Sequence, residues 1–254
     1  MTYAQVNGLR LYYEVSGEGP PLVLLHGGGS TIETTFGRLR PLLASSHTLI
    51  AVELQAHGHT ADRGTPTSFT QDADDVAALL ETLHIARADI LGFSNGGQTA
   101  LQLAIRHPAC VHHLVVASAL TKRSGVAPGF WDGFADATLA QLPAPYADAF
   151  RAINPDPSAL QTMFDRDAQR MLHFTDFPDA DLATIAAPTL IVAADHDVPL
   201  PAHTAELAQL IPNARLLILP GMHGTYLGEL MTAVSGSKQP EVFATLLDEF
   251  LAAT

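Results

Sequence analysis

Six short, unbroken runs of apolar residues recur along this 254-residue chain and constrain its fold more than any other feature. Continuous apolar character over four or five residues is typical of strands that are buried on both faces, as in a parallel sheet. Amphipathic helical patterns lie between most of these runs, and strands that alternate with helices predict a doubly wound, mostly parallel α/β sheet. The six runs are residues 22–25, 48–52, 90–93, 114–117, 189–193 and 216–219.

Local signals at three places support this pattern. Two alternating polar and apolar runs meet at Asn7-Gly8, and this pair supplies the positive φ angles that a tight hairpin turn needs. Ser68 with Gln71 is a plausible capping box for the helix that follows it. A final helix is predicted to begin near Pro240, because an amphipathic pattern starts there.

The strand pattern stops between residues 121 and 187. Six of the 17 prolines, six of the 11 phenylalanines and the only tryptophan fall in this stretch. We expect a mostly helical cap at 121–187 inserted into an α/β core of residues 1–120 and 188–254. Trp131, Phe134 and Met163 are candidates for an apolar substrate pocket, and packing within the cap is an equally good explanation of these side chains.

Composition excludes several classes of function. The chain has 13 Lys and Arg and 26 Asp and Glu. The resulting net charge of −13 argues against nucleic acids and anionic membrane surfaces as partners. The single Cys110 cannot form an internal disulfide. No stretch approaches the ~18 apolar residues of a membrane span, and the first 15 residues do not resemble a leader. We therefore expect a cytoplasmic protein with a small-molecule partner; its oligomeric state is open.

The sequence Gly92-Phe93-Ser94-Asn95-Gly96-Gly97 carries the strongest chemical signal. It follows a predicted strand and precedes a predicted helix, which is the context of a nucleophile elbow, where glycines let the backbones approach closely. An ordinary glycine-rich turn is the alternative explanation. A serine needs a base within hydrogen-bond reach, itself oriented by a carboxylate.

Candidates for the base and the acid follow later predicted strands, in the chain order that this architecture requires. Asp195 and Asp197 come after the run at 189–193, and His223 comes after the run at 216–219. The carboxyl ends of parallel strands are where open α/β sheets place their sites. Solvated loop residues are the alternative, and Asp195 and Asp197 both remain candidates for the acid.

The glycines after the first buried strand are candidates for an oxyanion hole. Backbone N–H groups in His26-Gly27-Gly28-Gly29 can point at a developing negative charge, with Gly28 preferred and Gly29 in reserve. The second N–H group would come from Asn95, the residue after the nucleophile. We expect His26 itself to bond to neighbouring backbone.

Together these motifs resemble those of the α/β-hydrolase superfamily, and the resemblance covers essentially the whole chain. It implies Ser94 as nucleophile, His223 as base, Asp197 as its orienting acid and 121–187 as a cap. Two departures are a missing glycine, replaced by Ala194, and a degraded family motif at 53–60, which indicates a distinct subfamily. The motifs that carry the resemblance are His26-Gly27-Gly28, Gly92-Phe93-Ser94-Asn95-Gly96-Gly97, Pro188-Thr189-Leu190-Ile191-Val192 with Asp197, and Pro220-Gly221 with His223.

No metal or cofactor is expected. His57-Gly58-His59 with Asp62 suggests a zinc site, but the spacing does not fit that of metallo-hydrolases. The chain also lacks a Gly-x-Gly-x-x-Gly sequence and a lysine placed to cradle a phosphate.

The expected function is that of a serine hydrolase that cleaves a small to medium, largely apolar carboxylic ester. The resemblance leaves a lactonase, a carbon–carbon-bond hydrolase and a perhydrolase open on the same triad. It excludes dehalogenase and epoxide hydrolase types, which use Asp in place of Ser94. From other classes, a small-molecule receptor with vestigial activity and a scaffolding protein with a dead site remain alternatives.

Overall fold

All eight strands of the computed structural model, which describes residues 2–253, belong to one sheet in the order β1-β2-β4-β3-β5-β6-β7-β8. β2 pairs antiparallel with β1 and β4, and every other neighbouring pair is parallel. The strands are β1 (Thr2–Val6), β2 (Leu9–Ser16), β3 (Pro21–Leu25), β4 (Thr48–Glu53), β5 (Ala88–Phe93), β6 (Val111–Ala117), β7 (Thr189–His196) and β8 (Ala214–Met222).

Helices cover both faces of this sheet, which confirms the predicted doubly wound α/β class. One face packs against α3, α4 and α8, and the other against α1, α2 and α9. The inner strands are buried on both faces, because helices lie above and below them. The helices are α1 (Ile32–Phe36), α2 (Arg40–Leu43), α3 (Phe69–Thr82), α4 (Asn95–Arg106), α5 (Ala144–Ile153), α6 (Ala159–Leu172), α7 (Asp179–Leu182), α8 (Pro201–Leu210) and α9 (Gln239–Leu251).

The local sequence signals mark observed elements, but the predicted capping box forms only in its Ser68 half, because the Gln71 side chain donates to Asp75 at 3.1 Å. The β1–β2 hairpin turns at Asn7 and Gly8, whose φ angles are 46° and 77°. Ser68 caps α3 by accepting a hydrogen bond from Gln71 N at 3.1 Å. Each predicted buried run lies inside a strand, and all six strands extend beyond the run by one to five residues. No helix within residues 2–253 is both long and apolar enough to cross a bilayer.

Residues 121–187, called the insert below, lie between β6 and β7 and contain α5, α6, α7 and several short 3-10 turns. Aromatic contacts attach the insert to the core: the Phe69 ring of α3 lies 6.4 Å from the rings of both Phe174 and Phe177. A buried ion pair, Arg170 with Asp72 at 2.9 Å, joins α6 to α3. These contacts therefore hold α6 of the insert close to the carboxyl ends of the central strands.

Candidate active site

Ser94 lies in a strained turn between β5 and α4. Its φ and ψ are 51° and −121°, a backbone conformation that costs free energy in a non-glycine residue. The neighbouring glycines make room for this turn: a Cβ atom at Gly92 would lie 2.1 Å from Gly96 O, and one at Gly96 would lie 2.1 Å from Leu25 O. The turn therefore requires glycine at both places, as a nucleophile elbow does.

His223 and Asp197 meet across the ends of β7 and β8. His223 Nδ1 lies 2.5 Å from Asp197 Oδ1, a short charge-assisted hydrogen bond. The Asp197 side chain is fully buried, whereas a quarter of the His223 side chain is exposed. Because its Nδ1 faces an ionised carboxylate, the neutral imidazole carries its proton there and leaves Nε2 as an acceptor.

Asp197 is held by a set of donors besides His223. Its carboxylate accepts hydrogen bonds from the Ser118 hydroxyl at 2.5 Å, Ala194 N at 2.8 Å and Val198 N at 2.7 Å. Burial by itself would raise the pKa of Asp197, but the hydrogen bonds and the nearby imidazole outweigh it and hold that pKa below its ordinary value. The side chain therefore stays ionised at neutral pH.

Asp195, the other candidate for the acid, does not reach His223. It is exposed, and its Oδ1 accepts a hydrogen bond from Gly221 N at 2.8 Å. This contact supports the turn that precedes His223. Of the two carboxylates, the structure brings only Asp197 to the imidazole.

Ser94 and His223 line the same cavity, which has a volume of about 390 Å³. Among the described residues no hydrogen bond joins the Ser94 hydroxyl to His223; in ligand-free enzymes this contact is commonly loose and tightens with substrate. The cavity lies between the core and the insert. Its lining consists of Gly28, Gly29, Ser94, Asn95, Phe130, Gly133, Phe134, Ala137, Gln141, Leu142, Pro143, Met163, Phe164, Asp167, Ala168, Met171, Val198 and His223.

The candidate oxyanion-hole residues lie beside Ser94 in this cavity. Asn95 N belongs to the first turn of α4, where N–H groups have no partner within the helix. A Cβ atom at Gly28 would lie 2.5 Å from Nδ2 of the Asn95 side chain, so a larger residue here would displace that amide. The reserve candidate, Gly29, is already engaged, because its N–H donates to Asp167 Oδ2 at 2.6 Å.

Two of the three predicted pocket residues, Phe134 and Met163, line the cavity. Trp131 is not part of this lining, but its ring lies 5.0 and 6.2 Å from the rings of Phe130 and Phe134, which are. Its indole N–H donates to Arg123 O at 2.7 Å and its ring stacks on Phe174 at 5.2 Å. The indole N–H thus has the hydrogen-bond partner that a tryptophan side chain usually finds, and packing within the insert accounts for the ring.

Sequence reasoning missed three residues of this region. Ser118 supports Asp197, and nothing in its sequence context indicates that role. Asp167 belongs to the insert and contacts both Gly29 and His57. The sequence signal for His57 was present in the degraded motif at 53–60, but its partner lies 110 residues away.

Both histidines of the His57-Gly58-His59 sequence contact carboxylates in the structure. His57 Nε2 lies 2.9 Å from Asp167, and His59 Nδ1 lies 2.9 Å from Glu53. Elsewhere in residues 2–253, one group has metal-ligand side chains close together: Asp89 with His112 and His113. Its contacts of 2.9 and 2.8 Å are hydrogen-bond distances, and it lies at the start of β5, remote from Ser94.

A family model described as the alpha/beta hydrolase family matches residues 22–229. The chain belongs to this family. The match includes Ser94, Asp197 and His223, as well as the insert. Membership indicates a hydrolase and agrees with the sheet order and the elbow described above.

Relatives in the family have diverse activities. The human serine hydrolase BPHL is 29% identical over 87% of this chain and 79% of its own length. The 2-hydroxymuconate semialdehyde hydrolase of Pseudomonas sp. (strain CF600) is 27% identical over 96% of this chain and 91% of its own. Another curated relative, 31% identical, matches over only 45% of its length. The solved structure of Est816, an N-acyl homoserine lactone degrading enzyme, superimposes with a TM-score of 0.77 at 26% identity, covering 98% of this chain and all of that one.

Proposed function

We propose that this chain is a serine hydrolase that cleaves carboxylic esters through an acyl-enzyme formed on Ser94. The observation that carries the proposal is the hydrogen bond of 2.5 Å between His223 and Asp197, with the imidazole and Ser94 lining one cavity. The positive φ of Ser94 further supports it, because strained backbone of this kind is concentrated at functional sites.

The proposed reaction follows from the protonation states. Ser94 Oγ attacks the ester carbonyl while His223 Nε2 takes the hydroxyl proton, and Asp197 stabilises the imidazolium that results. The N–H groups of Gly28 and Asn95 stabilise the negative charge on the carbonyl oxygen. The same imidazole then protonates the leaving alcohol. In the second half, it activates a water molecule that releases the acid.

The cavity favours a small to medium, largely apolar ester. Its volume of about 390 Å³ lies near the lower end of small-molecule sites. Most of its lining is aromatic or aliphatic, including Phe134, Met163 and Met171. Asp167 is the one carboxylate of the lining, and the lining contains no Lys or Arg.

The absence of Lys and Arg from that lining weighs against one alternative. A muconate semialdehyde, named as the substrate of the Pseudomonas relative, carries a carboxylate, and the lining has no Lys or Arg to pair with that charge. A lactone is a neutral cyclic ester and suits the same cavity, so lactone hydrolysis is the second candidate. The likeness to Est816 supports this candidate.

The decisive test replaces Ser94 with alanine and measures hydrolysis of short-chain nitrophenyl esters and a lactone panel. We expect kcat/KM to fall by about 10³-fold or more, because a triad without its nucleophile retains only a small residue of its activity. Ser124→Ala is the matched control, since Ser124 is exposed and lies outside the cavity. A loss below about tenfold for Ser94→Ala would exclude Ser94 as the nucleophile.

Two further measurements distinguish an enzyme from a receptor with vestigial activity and from a scaffold with a dead site. They are labelling with a fluorophosphonate probe and the number of ester molecules hydrolysed per labelled site. An enzyme is labelled at Ser94 and completes many turnovers for each labelled site. A receptor is labelled but stops after the first acylation, and a dead site is not labelled at all.

A further inference from the structure

A carboxylate from the insert meets the glycine loop of the proposed active site. Asp167 on α6 places one oxygen, Oδ2, 2.6 Å from Gly29 N and 2.9 Å from His57 Nε2. The Asp167 side chain is 13% exposed and the His57 side chain 1% exposed. These contacts join segments 138 and 110 residues apart in sequence. None of the proposed catalytic steps uses Asp167 or His57.

The partners of His57 determine its charge. Its Nδ1 lies 2.9 Å from the backbone oxygen of Gln55, and its Nε2 lies 2.9 Å from the carboxylate of Asp167. Both partners only accept hydrogen bonds, so both ring nitrogens must carry a proton and the ring is an imidazolium. Burial would lower the pKa of His57, but the charge and hydrogen bond of Asp167 outweigh burial and raise that pKa. The pKa of Asp167 falls to about 2, because the contacts with His57 overcome the effect of burial.

The neighbouring His26 is in the opposite state. Its ring centre lies 4.8 Å from that of His57. One ring nitrogen, Nδ1, lies 2.7 Å from Gly27 O, and the other, Nε2, accepts a hydrogen bond from Leu54 N at 3.1 Å. One donor and one acceptor position describe a neutral imidazole, and burial lowers the pKa of His26 to about 3.

These two histidines and Asp167 hold the peptide groups on both sides of Gly28. The carbonyl of Gly27 and the N–H of Gly28 belong to one planar peptide, so the hydrogen bond from His26 to that carbonyl also orients the N–H. The following peptide ends in the N–H of Gly29, which Asp167 holds. His26 of the core thus orients the peptide that carries the Gly28 N–H, and Asp167 of the insert fixes the next peptide, so that Gly28 is held from both sides.

Other charged groups surround this arrangement. Arg170, also on α6, disfavours the imidazolium of His57 and favours the ionised form of Asp167. Arg170 itself is paired at 2.9 Å with Asp72 of α3. The buried cluster thus combines two cations with two carboxylates, and Asp167 is the member that contacts the glycine loop.

We propose that Asp167 is a positioning residue that, paired with the His57 imidazolium, holds the Gly27–Gly29 loop so that the Gly28 N–H faces the developing oxyanion. This inference rests on the proposed function, because it assigns a role in the same acyl transfer. Asp167 holds the loop most firmly while His57 is charged, because the imidazolium fixes the carboxylate that accepts from Gly29 N. As the pH rises through the raised pKa of His57, Nε2 loses its proton and repels the carboxylate, so kcat falls on the alkaline side.

The test compares three variants with the unmodified chain on a neutral nitrophenyl ester across a pH series. For Asp167→Ala we expect kcat to fall about tenfold or more with KM changed less than about threefold, because an oxyanion contact acts mainly in the transition state. Asp165→Ala is the matched control, on the same helix but exposed. Asp167→Asn keeps an acceptor for Gly29 N–H without the charge, so it should recover part of kcat and lose the alkaline decline.

Two results would overturn the proposal: equal kcat values for Asp167→Ala and Asp165→Ala, or an unchanged alkaline decline in Asp167→Asn. The pH series of Asp167→Asn decides the question if Asp167→Ala does not fold. Ser94→Ala, assayed in parallel, separates this proposal from the proposed function. If Ser94→Ala is inactive and the Asp167 variants match the control, only the positioning role fails; if Ser94→Ala is active, the acyl-enzyme proposal itself fails.

Discussion

At the scale of single residues, Asp197 shows how burial and hydrogen bonding together set a chemical state. A buried carboxyl group alone favours its neutral form, but Asp197 accepts hydrogen bonds from His223, Ser118 and two backbone N–H groups. These bonds stabilise the charge and keep its pKa low. Because the folded-state pKa is depressed, the stability that the His223 pair contributes is present at neutral pH and is lost only as the pH falls through that value.

The proposed role of Asp197 is tested by comparing it with the neighbouring carboxylate of Asp195. We expect Asp197→Asn to lower kcat by roughly 10⁴-fold, as loss of the charge does in a related triad, because the amide no longer stabilises the correct tautomer and the imidazolium. Asp195→Asn should change kcat by less than about threefold, since the hydrogen bond of Asp195 goes to the turn at Gly221 and not to His223. Steady-state kinetics on one ester measures both; equal losses would contradict the assignment of the acid.

At the scale of elements, the strand-to-helix junction at Ser94 depends on close packing of α4 against β3. The Gly96 position lies against the backbone oxygens of Leu25 and His26, at 2.1 and 2.6 Å from an added Cβ atom. Such a contact with backbone cannot be relieved by a side-chain rotation. The glycine after Ser94 is therefore required by the packing of two elements as well as by the turn itself.

We expect Gly96→Ala to lower the free energy of unfolding by about 1–3 kcal/mol, the usual cost of overpacking, or by more if the helix is displaced. In a chain of this size that corresponds to a decrease of Tm by about 2–10 °C, measurable by calorimetry. The matched control is Gly133→Ala, because an added Cβ at Gly133 meets no atom within 4 Å. Equal Tm values for the two variants would show that α4 does not need this close approach.

At the scale of the whole molecule, the net charge and the cavity lining both disfavour anionic substrates. The chain carries a charge of −13, and Asp167 is the charged carboxylate of the cavity lining. A negative protein repels anionic substrates at long range, and salt screens that effect within about 10 Å at 0.1 M ionic strength. Close to the substrate, the His57 imidazolium offsets the charge of Asp167, and the lining supplies no Lys or Arg to bind an anion.

These charges predict a preference for neutral esters. We expect kcat/KM for a neutral butyrate ester to exceed that for a succinate half-ester of similar size by about tenfold or more, since each 1.4 kcal/mol of repulsion corresponds to a factor of ten. Raising the salt concentration should narrow the difference without abolishing it, because only the long-range part is screened. Equal kcat/KM values at low salt would contradict the prediction.

Much of the fold was predictable from local sequence patterns. The strands that are buried on both faces each contain a short apolar run. The hairpin has a turn sequence, and the helix that begins after Ser68 has a capping residue. The positions of Ser94, Asp197 and His223 were also predictable locally, because each residue directly follows a strand. Parallel strands bring their carboxyl ends to one edge of the sheet, which explains why such a pattern predicts a common site.

The sequence by itself thus determined the α/β class, the elbow at Ser94 and the candidates for its partners. The family resemblance already indicated Asp197 as the acid. Only the tertiary structure showed its contact with His223, placed the Trp131 indole against Arg123 and brought Asp167 to Gly29 and His57. The physical reason is the range of the interactions. Turns, caps and apolar runs arise from neighbouring residues, whereas the charge of His57 depends on a carboxylate 110 residues away that packing alone brings into contact.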